Sequence, residues 1–271
     1  MSDAPVATLS WPARLGRLLA LVLLAGVALQ LYFVLRIALM TVLDPASTTF
    51  QRSEIWRLAT ERGRIEWAQE WRDYAALGTP IARAVIASED AGFVEHSGVE
   101  WDALEKAWER NQRAEAVAER RNEQLERRQQ QALARGRAPA AVPARVEARV
   151  VGGSTITQQL AKNLFLSGER TAARKAQEFA ITFMLEALLS KRRILEIYLN
   201  HVEWGEGLFG AQAAARHYFH TDADRLGSAQ AARLAVMLPA PKRFEQRPGS
   251  GYLVGRAGTI AARMGAVQPP R

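Results

Sequence analysis

The sequence predicts a mainly α-helical protein with one N-terminal transmembrane helix. Three features of the 271 residues support this prediction. Residues 18–35 form an apolar run, residues 79–241 contain successive stretches with apolar side chains at helical spacing, and no strand pattern of any length follows residue 79. A chain of this length can bury one catalytic core and carry an anchor in addition.

The apolar run at residues 18–35 contains one polar residue, Gln30. At 1.5 Å per residue it spans about 27 Å, close to the hydrocarbon thickness of a bilayer. No clear small-residue cleavage site follows the run, so we expect an uncleaved signal anchor. Arg14 and Arg17 precede it and favour a cytoplasmic N-terminus, with the remaining residues outside the cytoplasm. The alternative is a helix buried in the protein core.

The positive charge is concentrated in one part of the chain. The formal net charge is +8, and residues 110–149 hold ten arginines against five glutamates. Because the rest of the chain is only mildly basic, we expect no nucleic-acid partner. Residues 113–149 are interpreted as an insertion made of a charged helical arm and a Pro/Ala linker. The absence of cysteine excludes disulfides and thiolate metal sites.

Residues 152–165 are predicted to form a helix that begins after two glycines. Thr155 and Gln158 match the capping-box pattern, and apolar residues recur every four positions from Ile156. A second face carries Gln159, Lys162 and Asn163. Such a helix offers amides, one cation and a positive N-terminal dipole to an anionic or sugar-bearing ligand. The alternative is an ordinary amphipathic helix with a solvated polar face.

A preceding helix is predicted to begin at Thr79, as N-cap, with Pro80 in its first turn. Glu89 continues the apolar stripe of Ile81 and Val85 at a spacing of four residues. Burial there would raise the pKa of the carboxyl group and make it a better base near neutral pH. The alternative is a helix-end glutamate that turns to water.

Four further helices are predicted, and a metal site is not. The first has Thr171 as its cap and pairs Arg174 with Glu178 one turn later. His217 and His220 share a helix face, but no carboxylate lies at metal-ligand spacing from them. The helices cover residues 171–190, 191–200, 211–219 and 228–238.

Five segments in this order resemble the motifs of the peptidoglycan glycosyltransferases (glycosyltransferase family 51). The resemblance covers about residues 81–248, and it is closest to the monofunctional members because no second domain follows. Two departures are Gln230, where the family commonly has glutamate, and the long insertion. The matching segments are 89–98 (E-D-x-x-F-x-x-H-x-G), 152–163 (G-G-S-T-I-T-Q-Q-L-A-K-N), 174–178 (R-K-x-x-E), 191–200 with Gly205 and Gly210, and 214–241 (A-x-x-Y-F, then L-A-x-x-L-P-x-P).

The resemblance implies polymerisation of lipid II through β-1,4 linkages with inversion, releasing undecaprenyl diphosphate. It implies that Glu89 is the general base and that Glu178 is a second catalytic residue, which orients cations or helps to bind a metal. No cofactor is certain, although a divalent cation, Mg²⁺ or Mn²⁺, is compatible with the donor pyrophosphate. The substrate-binding residues implied are Asp90, Phe93, His96, Thr155, Gln158, Gln159, Lys162, Asn163, Arg170, Arg174 and Lys175.

The resemblance also implies a lysozyme-like lobe and a smaller jaw subdomain whose apolar helices dip into the membrane surface. The expected location is the inner membrane, single-pass, with a periplasmic catalytic domain. The expected partners are lipid II, the growing glycan strand, the membrane, and cell-wall synthesis or division proteins. The predicted segments are a cytoplasmic tail (1–17), the anchor (18–40), a connector (41–78), the glycosyltransferase domain (79–248) and a C-terminal tail (249–271).

Two alternatives stay open from the sequence. A lytic transglycosylase on a similar fold would also need one glutamate, but it would not need a cation cluster for a pyrophosphate. A degenerate membrane-anchored scaffold could recruit partners through the arginine-rich arm. The retention of Glu89, Lys162 and Glu178 favours an enzyme over the scaffold.

Overall fold

A computed structural model describes residues 11–135, 145–148, 152–169 and 171–271. Within these ranges the chain forms twelve α-helices and three very short strands, so the predicted mainly α fold is confirmed. The N-terminal elements are α1 (Trp11–Leu39), α2 (Thr49–Arg57), a π-helical turn (Leu58–Arg62), β1 (Ala68–Gln69) and α3 (Tyr74–Leu77). The central elements are α4 (Thr79–Glu89), α5 (Trp101–Ala134), α6 (Ile156–Phe165), α7 (Ala172–Leu188) and α8 (Lys191–His201). The C-terminal elements are β2 (Glu203–Gly205), β3 (Leu208–Phe209), α9 (Ala211–Phe219), α10 (Ser228–Met237), α11 (Pro241–Glu245) and α12 (Gly251–Arg263).

Helix α1 is long and apolar enough to cross a membrane, by length and composition. Most of its side chains are exposed, which contradicts the alternative of a buried core helix. Its last turns contact the rest of the protein through Phe33 and Ile37, both buried. Phe33 meets the ring of Phe165 edge to face, with 5.2 Å between ring centroids.

The C-terminal end of α1 is fixed to α8 by one arginine. Arg193 donates to the carbonyl oxygens of Met40 (2.7 Å) and Leu43 (3.0 Å), and it pairs with Asp44 at 2.7 Å. Met40 and Leu43 belong to the turn that follows the last residue of α1, Leu39, so Arg193 satisfies carbonyl groups of that turn. Helix α1 is thereby attached to the rest of the protein.

The start of α4 differs from the prediction. Gly78, and not Thr79, occupies the N-cap, with a φ of 82°. A Cβ at this position would lie 2.8 Å from Asp224 Cα, so both the backbone conformation and the packing require glycine. Pro80 lies in the first turn as expected.

The predicted C-terminal tail is not a free extension. It contains α12, which packs against α10 and α4, with Leu253 and Ile260 almost fully buried. Ser250 caps the helix by accepting from the backbone N–H of Leu253. The core that holds the end of α4 therefore includes residues beyond 248.

The glycine-containing loop after α8 forms a small sheet in the order β1-β3-β2, although no strand was predicted there. Strand β1 pairs with β3 in parallel and β2 pairs with β3 antiparallel. Gly210, with a φ of 83°, starts α9; a Cβ there would lie 2.8 Å from the carbonyl oxygen of Asn200. The sheet joins the connector to the end of α8.

Helix α5 contains the predicted arm and spans about 50 Å at 1.5 Å per residue. The side chain of Asn122 donates to the Val146 carbonyl (3.0 Å) and accepts from the Val146 N–H (2.8 Å). The described part of the linker therefore lies along the arm. The predictions for residues 136–144 and 149–151 lie outside the described residues.

Candidate active site

The N-terminus of α6 is built by the capping box that the sequence predicts. Thr155 Oγ1 accepts from the N–H of Gln158 at 3.2 Å, and Gln158 Oε1 accepts from the N–H of Thr155 at 3.0 Å. The Thr155 hydroxyl also donates to the carbonyl of Gly98 at 2.6 Å. This contact joins the segment after Glu89 to the start of α6.

Asp90 makes a second connection between these segments. Its Oδ2 accepts from the backbone N–H of Ile156 (3.0 Å) in the first turn of α6, and its Oδ1 lies 2.8 Å from His96 Nε2. The N–H of Gly98 donates to His96 Nδ1 (3.1 Å), so the proton of a neutral ring is on Nε2 and is donated to Asp90. A carboxylate at a helix N-terminus is stabilised by the unpaired amides and by the dipole. Asp90 therefore positions α6 against the end of α4.

Glu89 lies beside this junction, at the end of the apolar stripe of α4. Its Oε2 accepts from the side-chain amide of Gln159 at 3.0 Å, and its Oε1 accepts from the Ser88 hydroxyl at 3.1 Å. Gln159 Oε1 accepts in turn from the hydroxyl of the buried Tyr198 at 2.8 Å. The amide of Gln159 is thus held in one orientation, with its NH₂ group directed at Glu89.

The environment of Glu89 raises the pKa of its carboxyl group, as the sequence predicted. Burial is the largest cause, and the hydrogen bonds from Gln159 and Ser88 partly offset it. The charge of Arg256, on α12, also lowers this pKa. Glu89 is only partly buried, so it combines a raised proton affinity with access from outside.

A cavity of about 460 Å³ lies between α6 and α7. Gln159, which donates to Glu89, lines this cavity, whereas Glu89 itself is not among its lining residues. Both oxygens of Glu178 are occupied there: Oε2 accepts from Arg174 at 2.8 Å, and Oε1 accepts from Lys175. The lining residues on this side carry three positive charges (Lys162, Arg174 and Lys175) and two negative ones (Glu169 and Glu178), so the α6–α7 wall has a net charge of +1. The predicted residues that line the cavity are Gln158, Gln159, Lys162, Asn163, Arg174, Lys175 and Glu178.

The opposite wall comes from residues that the sequence analysis missed. Phe50 and Ser53, on α2, lie in the segment predicted as a connector, and Glu203 follows α8. Burial raises the pKa of Glu203 to about 7, although Lys242 Nζ lies 3.4 Å from its Oε1. Lys242 makes a shorter contact with Glu54, at 2.5 Å. No periodic pattern points to Glu203, because it lies on the short strand β2 and not on a helix face.

Three residues predicted to bind substrate are buried and bonded inside the protein. Phe93 is fully buried, with Lys191 Nζ 4.6 Å from its ring centroid, and the side chains of Asp90 and Thr155 make the contacts described above. These side chains are not among the lining residues of the cavity and support the site from behind, and their direct contact with substrate stays a prediction. His96 is mostly buried against Asp90. Arg170 lies outside the described residues.

The residues present do not fit a divalent cation at Glu178. Both of its oxygens accept hydrogen bonds from cations, and those charges oppose a metal ion. Within the described residues, Asp90, His96 and Glu100 have ligand atoms within 4.8 Å of one another. Asp90 and His96 already use these atoms for each other and for Ile156. We therefore derive no step through a metal.

Comparison with known proteins gives consistent results. The family model described as "Transglycosylase" matches residues 131–265. The biosynthetic peptidoglycan transglycosylase of Burkholderia pseudomallei (strain K96243) is 48% identical over 246 residues, which are 91% of this chain and 84% of the relative. The similarly named protein of Cupriavidus metallidurans is 49% identical over 252 residues, covering 90% of this chain and 93% of the relative. That of Bordetella pertussis is 43% identical over 262 residues, covering 97% of both chains. On these similarities, the chain belongs to the biosynthetic peptidoglycan transglycosylase family, whose members are glycosyltransferases.

Proposed function

We propose that the protein polymerises peptidoglycan glycan strands from lipid II, forming β-1,4 linkages with inversion and releasing undecaprenyl diphosphate. The observation that carries this proposal is the hydrogen bond between Glu89, a carboxylate with a raised pKa, and Gln159, which lines a cavity whose α6–α7 wall has a net positive charge. A base and an anion-binding wall are the two groups that transfer from a pyrophosphate donor requires.

In the proposed reaction, Glu89 takes the proton from the 4-hydroxyl of the acceptor GlcNAc. The O4–C1 bond forms as the bond between C1 and the phosphate oxygen breaks, and the electron pair leaves with the pyrophosphate. The hydrogen bonds from Gln159 and Ser88 orient Glu89. They also stabilise its charged form, which keeps a partly buried carboxyl group able to accept a proton.

Lys162, Arg174 and Lys175 would stabilise the charge that develops on the leaving group. An inverting hydrolase needs a second carboxylic acid to protonate its leaving group, but a pyrophosphate leaves as an anion, so cations can replace that acid. One oxygen of Glu178 accepts from Arg174 and the other from Lys175, which supports a role of Glu178 in orienting these two cations. Glu178 is therefore proposed as a positioning residue.

The apolar helix α1 supports a single-pass anchor in the inner membrane. Arg14 and Arg17 at its start favour a cytoplasmic N-terminus, which supports a periplasmic location of the catalytic domain. Exposed apolar side chains on α7, including Phe183 and Leu188, support a jaw that dips into the membrane surface. A substrate with a polyprenyl tail would then reach the cavity without leaving the bilayer. Cell-wall synthesis or division proteins are proposed as partners on the basis of the activity alone.

The test is to incubate the purified full-length protein with labelled lipid II in liposomes. We expect glycan polymer and release of undecaprenyl diphosphate, both blocked by moenomycin. The rival activity is tested with the same preparation on isolated glycan strands. Shortening of those strands without polymer formation from lipid II would overturn the proposal in favour of a lytic enzyme.

A further inference from the structure

The polar residue of the apolar run, Gln30, forms a closed pair with Gln177 of α7. Gln30 Nε2 donates to Gln177 Oε1 at 2.9 Å, and Gln177 Nε2 donates to Gln30 Oε1 at 3.0 Å. Both side chains are half-buried. In an apolar environment an amide group that lacks partners is costly, so each glutamine favours this one alignment of the two helices.

The pair is continuous with an apolar stripe on α1. Phe33, Ile37 and Met40 follow Gln30 at intervals of three and four residues, and all three are buried. Apolar side chains alone would tolerate a slip of one turn between the helices, whereas a half-buried polar pair with mutual hydrogen bonds favours one register. The contacts of Arg193 with the end of α1 hold the same register at the other end of the stripe.

The pair lies in the half of α1 that is nearer to the outer edge of a bilayer. A hydrocarbon layer of about 30 Å corresponds to about 20 residues of helix. Because Arg14 and Arg17 favour the cytoplasmic side, the layer is counted from Arg17, and this length ends near Arg36. Gln30 lies six residues before Arg36, within two helical turns of the outer edge.

The pair also adjoins the cation cluster. Gln177 immediately precedes Glu178, the carboxylate that accepts from Arg174 and Lys175. We propose that Gln30 is a positioning residue: through Gln177 it fixes the height of α7, so that these cations meet the pyrophosphate of a membrane-held substrate at the lipid surface. This inference rests on the proposed function.

The proposal predicts that the effect of replacing Gln30 depends on whether the substrate is held in a membrane. A full-length lipid substrate in liposomes is held at a fixed height, so a change in the register of α7 should slow its use. A short-tailed analogue of lipid II in detergent can adjust its position, so its use should depend little on Gln30. A role of Gln30 in folding alone would lower the rate with both substrates equally.

The experiment measures initial polymerisation rates of the full-length protein with both substrates, for wild type, Gln30→Leu and the control Leu31→Ile, a swap at an exposed position of α1. We expect the initial rate of Gln30→Leu to fall roughly fivefold with the full-length lipid in liposomes and less than about twofold with the short-tailed analogue. Equal losses with the two substrates, or no loss, would overturn the proposal. The wild-type rate with the analogue reports the proposed function independently.

A second measurement keeps the result independent of expression or folding. The chain has no cysteine, so Gln30→Cys with Gln177→Cys can be joined by a short reducible bis-thiol reagent. Cross-linking is expected in this double variant. It is not expected in the control variant with Val34→Cys and Gln177→Cys, because Val34 lies about one turn beyond Gln30 on α1. The link should restore the liposome rate, and reduction should lower it again. Equal rates for linked and reduced protein would overturn the proposal.

Discussion

The side-chain amide of Gln159 lies 3.0 Å from the carboxylate of Glu89 and donates to it, across 70 positions of sequence. The same amide accepts from Tyr198, whose burial raises the pKa of its hydroxyl well above the usual value and keeps it a donor. This chain of hydrogen bonds selects one orientation of the amide. It joins the proposed base to the helix that forms the floor of the cavity.

Replacing Gln159 should move the pH profile of the reaction. The hydrogen bond stabilises the carboxylate and lowers its pKa, so Gln159→Leu should raise the pKa of Glu89 further. Because a base must be deprotonated, the acid limb of the kcat/KM profile should shift to higher pH, with a larger loss at pH 6 than at pH 8. Ser88→Ala should shift the limb in the same direction. An unchanged limb in both variants would contradict the account of Glu89.

Removing the charge of Glu178 should impair turnover more than binding. In Glu178→Gln, Arg174 and Lys175 lose the carboxylate that holds them, and we expect kcat to fall by roughly 10²-fold. Glu186→Gln is the matched control, since Glu186 lies two turns further along α7 and pairs with Thr157 and Lys191 instead. The measurement is steady-state kinetics with lipid II, together with a thermal melt. A Glu178→Gln variant that polymerises at the wild-type rate would remove the positioning role.

Glu203 should make stability depend on pH. Its pKa is about 7 in the folded protein and near 4.5 when exposed, so the folded state binds more protons between these values. The stability associated with the protonated group is present below about pH 4.5 and is lost as the pH rises through 7. Glu203→Gln should therefore melt at a higher temperature than wild type at pH 8 and at a similar temperature at pH 5. A difference independent of pH would show that Glu203 is already charged throughout this range.

Helix α12 should be required for the stability of the catalytic domain. Leu253 is almost fully buried, so Leu253→Ala should cost about 2–4 kcal/mol of unfolding free energy by leaving a cavity. Val254→Ala, at the neighbouring exposed position, is the control and should change stability by less than about 0.5 kcal/mol. The measurement is denaturant unfolding in detergent. Equal effects of the two substitutions would mean that α12 does not pack as the structure has it.

The parts of the fold that depend on local chemistry could be predicted from the sequence. The caps at Thr155 and Thr171 are satisfied within three residues of chain, and both form as predicted. The spacing of Ile81 and Val85 likewise predicts that Glu89 lies at the end of the same face of α4. The cap at Gly78 could not be predicted in this way, because the approach of Asp224 from a distant turn decides it.

The cavity could be predicted only on its α6–α7 side. Gln159 and Lys162 lie on one face of α6, and Arg174 shares a face of α7 with Glu178. The helical spacing of these residues in the sequence predicts both faces. The other wall depends on how α2 and the loop after α8 fold back, which no short-range pattern records. Phe93 and Asp90 lie in the same motif as the proposed base, Glu89, yet both are buried and neither is among the lining residues of the cavity. The sequence motif locates the segment that contributes to the site. The burial of each side chain then shows which of its residues are enclosed within the protein.

The most direct test of the central claim compares Glu89→Gln with Glu95→Gln in the polymerisation of lipid II. Glu95 is an exposed glutamate of the same segment, so its variant controls for the loss of one negative charge. We expect Glu95→Gln to polymerise at the wild-type rate and Glu89→Gln, folded by its thermal melt, to lose activity by 10²-fold or more, within the range of about 10²–10⁴ that general-base catalysis contributes. Polymerisation by Glu89→Gln at the rate of the control would contradict the account.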